Sequence, residues 1–175
     1  MRRKNNFAEQ YVHMDRSKST QFFREQCKRF KCNKLVIRQR TAKQDNRLTT
    51  TRGFFLAKAH DRAKDLIVIS RRQPNYIKIT CLYHEIGHYK CRHAKCKCSE
   101  KTPNPVSEFH ADRFCLAELI RQVLFYSLAC YVMSIHKCAK SKKTKKIYRK
   151  SFSKLLKSKI WRKSLRILKQ QGYRI

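Results

Sequence analysis

Apolar residues recur along this chain at two spacings, and the switches between them mark out its elements. Over residues 18–31, Phe22, Phe23, Cys27 and Phe30 fall at helical intervals within a basic stretch, which predicts an N-terminal helix. Three short runs follow at 34–40, 53–59 and 66–70. They are rich in aliphatic and aromatic residues and read as strands, with 61–64 placed to turn the second into the third as a hairpin. From residue 75 the spacing is helical again, with apolar side chains at 76, 79, 82, 83 and 86. A further helix spans 107–120, with Ala111, Phe114, Cys115 and Leu119 on its apolar side. Asn104 followed by Pro105 reads as its N-cap and first helical position.

The last third is helical too. Residues 123–135 carry no charge, but thirteen residues fall short of the roughly 20 that a membrane span needs, and Glu118 and Arg121 lie just before them, so a buried helix is predicted. Beyond it, Tyr148, Phe152, Leu155, Leu156 and Ile160 form one apolar set, and Trp161, Leu165 and Leu168 a second. The two sets fall on different faces, which favours packing or a partner over lying on a membrane. The expected organisation is α+β: a basic segment 1–17, a body 18–136 and a lysine/arginine-rich helical tail 137–175. The N-terminus leads into polar residues with no apolar signal region, so an intracellular protein without a signal peptide is expected.

The most specific chemistry lies inside the helix that begins at residue 75. Residues 84–88 read His-Glu-Ile-Gly-His, and positions i and i+4 share a helix face, so His84 and His88 can hold one metal ion together. Glu85 beside them is the candidate general base for a water on that ion. Glu108 follows His88 by 20 residues, enough for a loop and a return to the metal. Two His and one Glu with water in the fourth position is the hydrolytic zinc arrangement. Asp112, one turn after Glu108, is placed to accept from a ligand imidazole and hold its tautomer. For the donor that a tetrahedral intermediate needs, Tyr83, His93 and His110 are near in sequence, and nothing singles one out.

The two motifs together, His84-Glu85-Ile86-Gly87-His88 and Glu108-Phe109-His110-Ala111-Asp112-Arg113-Phe114, resemble the gluzincin metallopeptidases and are most similar to the ImmA/IrrE family. The likeness covers about residues 20–125. It departs at His110, where that family often has an acidic residue, and in the run Phe114–Glu118, where smaller residues are usual. The resemblance implies a small zincin-like domain: N-terminal helix, three-stranded sheet, HExxH helix and Glu-ligand helix. It implies one catalytic zinc at His84, His88 and Glu108, with Glu85 as base. It further implies a regulatory protein or peptide substrate, laid along an edge strand of the sheet for which 53–59 is the candidate.

Charge widens the picture. Lys and Arg total 44 against 11 acidic residues, a net +33, with 16 cations and no acid in residues 137–175. Such a surface favours polyanions, and non-specific nucleic acid is the expected partner. This also sustains a reading from another class, a non-catalytic basic zinc-binding protein associated with nucleic acid. Nine cysteines, an odd count without an export signal, point to reduced thiols, with Cys27, Cys81, Cys115 and Cys130 in apolar settings. Cys91, His93, Cys96 and Cys98 cluster closely enough to form a second zinc site, although their spacing matches no standard zinc knuckle.

Overall fold

A computed structural model describes residues 16–58, 63–94 and 104–175. Helix and strand form there where the apolar spacing places them. In chain order they are α1 (Arg16–Phe30), β1 (Leu35–Arg40), a 3-10 turn (Asn46–Thr49), β2 (Gly53–Leu56), β3 (Asp65–Ser70), α2 (Asn75–His93), α3 (Pro105–Arg121), α4 (Phe125–Lys140), α5 (Lys146–Leu156) and α6 (Lys159–Gln170). The described residues are thus α+β, six helices and a three-stranded mixed sheet.

The strand order is β1-β3-β2. The central strand β3 is buried along its whole length, as its unbroken Leu-Ile-Val-Ile run requires. It pairs antiparallel with β2, Gly53 opposite Ile69 and Leu56 opposite Leu66, which is the expected hairpin; its turn lies partly outside the described residues. It pairs parallel with β1, Leu35 opposite Asp65. The chain therefore passes from one edge of the sheet to the other before filling the centre.

One core unites the sheet with every helix. Leu35, Ile67 and Ile69 meet Leu82, Tyr83 and Ile86 of α2, then Leu116 and Leu119 of α3 and Leu128 and Val132 of α4. Phe152, Leu155, Trp161 and Leu168 belong to the same cluster, so α5 and α6 pack on the body, and α4 runs straight through the expected boundary at 136/137. The tail is two helices, with Tyr148, Phe152, Leu155 and Leu156 of the first apolar set on α5 and Ile160 joining the second set on α6. Ser158 separates them, its hydroxyl accepting from the Trp161 N–H at 3.2 Å as the cap of α6. Burying each large apolar side chain contributes about 1.5–3 kcal/mol, which outweighs the mutual repulsion of the cations around it.

Two local devices set up the site. Asn104 Oδ1 accepts from the N–H groups of Val106 and Ser107, both at 2.9 Å, so α3 begins where the Asn-Pro pair puts it and Glu108 falls in its first turn. At the other end of α3, the Val123 N–H bonds Ile120 O and the Leu124 N–H bonds Leu119 O, a left-handed closure with Val123 at φ 57°. A β-branched residue pays about 1–2 kcal/mol for that conformation, and the closure turns the chain so that α4 folds back on α3. No helix among the described residues is long and apolar enough to cross a membrane.

Candidate metal centre

The helices α2 and α3 cross at Gly87, where an added Cβ would stand 2.6 Å from Ala111 Cα. This close approach lays the first turns of α3 over the His84–His88 face of α2. His84 Nε2 is 3.1 Å from His88 Nε2 and 3.3 Å from Glu108 Oε2, and His88 Nε2 is 3.7 Å from Glu108 Oε1. Donors about 2.0–2.1 Å from a tetrahedral ion stand about 3.3–3.4 Å apart, so the two imidazoles and the carboxylate lie near the spacing of a bound cation's ligands. Among the described residues these three form the one group of His, Cys, Asp and Glu side chains with ligand atoms within 4.8 Å of one another.

Behind the triad, Asp112 Oδ1 lies 3.0 Å from His84 Nδ1 and accepts from the Tyr131 hydroxyl at 2.6 Å. The same hydroxyl is 3.0 Å from His84 Nδ1. Asp112 is thus placed to hold the proton on Nδ1 and leave the Nε2 lone pair facing the ligand position. Tyr131 was invisible in the sequence motifs. It comes from α4, 47 positions after His84, inside a run that reads only as apolar core. Tyr131→Phe removes the clamp on Asp112 and keeps the ring, and metal affinity is expected to fall about 10-fold or more, read by competition with a chelating dye.

Three acidic side chains converge here, Glu85, Glu108 and Asp112, each less than 10% exposed. Among the described residues none of them pairs with Lys or Arg, and Asp112 Oδ2 is buried without a hydrogen-bond partner. So much buried negative charge is costly unless a cation offsets it, and the donor set fits a divalent ion. The titration behaviour agrees. Burial pushes His84 down, but hydrogen bonds to Asp112 and Glu108 outweigh it and hold the imidazole well above its ordinary value. Burial raises Glu108, yet hydrogen bonds from His84 and His88 bring it down to about 2. Burial also lifts Glu85 above the usual carboxylate range, with His84 and His88 pulling the other way.

The sheet reaches the site through β2. Ser70 N–H bonds Arg52 O at 2.9 Å, and alternation along an antiparallel pair then aims the N–H and C=O of Phe55 away from β3, at the free edge. The Phe55 backbone bonds Glu85, so this edge lies beside the candidate base. Residues 53–56 of the expected edge strand 53–59 are extended and lie at the sheet's edge.

The remaining sequence candidates point elsewhere. Tyr83 donates to Gln26 Oε1 at 3.0 Å, part of a polar set in which Arg29 and Arg121 pair with Glu118 and pin α1 to α3. His93 bonds Asp65 at 2.7 Å, and Cys91 lies 3.4 Å from His110 Nδ1. Cys91 and His93 therefore face different partners and are not brought together; Cys96 and Cys98 lie outside the described residues. Burial raises Cys27 to about 11 and Cys81 to about 12. A second phenol feels these carboxylates, Tyr148 of α5: burial first, then the charges of Glu108, Glu85 and Asp112, raise it. No protein-family model, no curated protein and no solved structure matches this chain.

Proposed function

We propose that this protein is a zinc-dependent metallopeptidase with a zincin-like domain of the gluzincin type, similar to the ImmA/IrrE family. The observation that carries the reading is the His84–His88–Glu108 triad with the buried carboxyl of Glu85 beside it and no Lys or Arg paired to any of them among the described residues. Zinc held by these three side chains would lower the pKa of a bound water to about 7 and polarise a scissile carbonyl.

The rest is the work of the chain itself. Glu85 takes the proton of the attacking water and hands it to the departing amine. Its upward shift, set by burial, brings it closer to neutrality, where a carboxyl can both accept and return a proton. Asp112 and Tyr131 hold His84 in its ligating tautomer. The free edge of β2 pairs with an extended peptide, and Tyr148 donates to the carbonyl oxygen as charge builds there. The substrate class in this reading is a protein or peptide, a regulatory or nucleic-acid-associated one. The alternative, a non-catalytic basic zinc protein, gives no work to Glu85.

Metal content tests the proposal. The purified protein is expected to hold one equivalent of zinc, released on dialysis against a chelator, and His84→Ala or Glu108→Ala should lose it. Retention of that equivalent in both variants would place the metal elsewhere, and two equivalents in the parent would direct attention to Cys91–Cys98.

A further inference from the structure

All 16 Lys and Arg side chains of residues 137–175 are exposed, and the segment contains no acid. Their order along the helices is not scattered. On α6, Lys159, Arg162, Lys163, Arg166 and Lys169 follow i, i+3, i+4, i+7 and i+10, one stripe, while Trp161, Ser164 and Leu168 are buried on the opposite face. On α5, Lys146, Arg149 and Lys150 form the matching stripe, opposite buried Ser151, Phe152 and Leu155, and Lys157 carries it to the start of α6. Neighbouring cations at these spacings repel. Among the described residues no side chain of the tail is in an ion pair, so no acidic partner there relieves the repulsion.

We infer that the outer faces of α5 and α6 form a docking surface for the phosphate backbone of double-stranded nucleic acid. The charge density matches. Five cations over the ten-residue span of α6 occupy about 15 Å, or one per 3–4 Å. A duplex strand carries one phosphate per about 3.4 Å of axis. An anionic membrane fits less well, because the apolar faces of both helices are already spent in the core and leave nothing to insert. A single strand fits less well too, because no aromatic residue of 137–175 is exposed to stack on bases. Recognition by these groups is independent of sequence, since a stripe of cations reads phosphates and not base edges. The inference does not depend on the metal centre.

Binding of the full chain to a fluorescein-labelled duplex of about 20 base pairs, followed by anisotropy between about 50 and 200 mM NaCl, tests it. Affinity should fall steeply with salt. The triple variant R162E/K163E/R166E should bind at least about tenfold more weakly and show a log–log salt slope shallower by about 2.7, three contacts at about 0.9 each. The control R24E/K28E/K31E changes three exposed cations, two on α1 and one just after it, shifts net charge equally, and should cost far less. Equal losses from both triples would mean diffuse attraction and overturn the docking surface. So would absence of duplex binding at about 50 mM salt, or binding confined to phosphatidylserine-containing vesicles. The milder R162Q/K163Q/R166Q, with circular dichroism and melting temperature alongside, keeps the comparison valid should the acidic triple misfold. Zinc content of each variant is expected to stay at the parent value, so a failed peptidase reading would be seen separately.

Discussion

Glu85→Gln is expected to lower peptide hydrolysis by about 10²- to 10⁴-fold while zinc content and melting temperature hold at the parent values. The expectation follows from what the side chain does and does not touch. Glu85 is not among the three groups whose ligand atoms converge, so exchanging it leaves the donor set complete. Its amide replacement has the same shape and still offers an oxygen to the Phe55 backbone, so β2 stays seated on α2. What the amide cannot do is accept a proton from water. A drop in turnover with a full complement of zinc therefore isolates the proton transfer. Hydrolysis at the parent rate would rule out Glu85 as base, and a parent protein inactive on peptides and proteins would favour the non-catalytic alternative.

The reach of sequence reading here follows sequence distance. His84, Glu85 and His88 lie within one helical turn or so, and a helix is all they need to converge. Asn104 and Pro105 announce the start of α3 through bonds spanning two or three residues, which is why Glu108 and Asp112 were legible as a candidate ligand and a candidate partner for a ligand imidazole. Tyr131 and Tyr148 were not legible, because each arrives from a helix whose pattern speaks only of core. Their hydroxyls acquire meaning once α4 and α5 fold back over α3. The same holds for the Phe55 N–H, which any residue would supply at that position; its role depends on β2 being the edge strand, and the order β1-β3-β2 has no local signature. The tail gave the opposite difficulty. Its two apolar sets left packing and a partner both open, and a thin apolar stripe through each cationic helix, Phe152 and Leu155 on α5, Trp161 and Leu168 on α6, draws it into the core. Once there, its first helix brings Tyr148 towards the carboxylates and leaves the cations facing out.

Gly87→Ala is expected to force α2 and α3 apart where they cross. In a helix interior the exchange alone favours alanine by about 1 kcal/mol, so a solvent-facing glycine at this point would make the variant more stable. Here the new Cβ would meet Ala111 Cα at 2.6 Å and Ala111 O at 3.0 Å. Both are backbone atoms, which have no rotamer to yield, and the helices must part. Overpacking of this kind costs about 1–3 kcal/mol, enough to reverse the propensity gain. The displacement also has a chemical consequence, since Ala111 follows Glu108 by three residues on the same helix. Moving α3 off α2 draws Glu108 away from the two imidazoles, so zinc affinity is expected to fall about tenfold or more together with the melting temperature. Ala111→Gly should not restore either property, because the clash is with the Cα and carbonyl that glycine retains. A Gly87→Ala protein as stable as the parent and fully loaded with zinc would mean that α2 and α3 do not meet at this crossing, and the position of Glu108 over the HExxH helix would have to be redrawn.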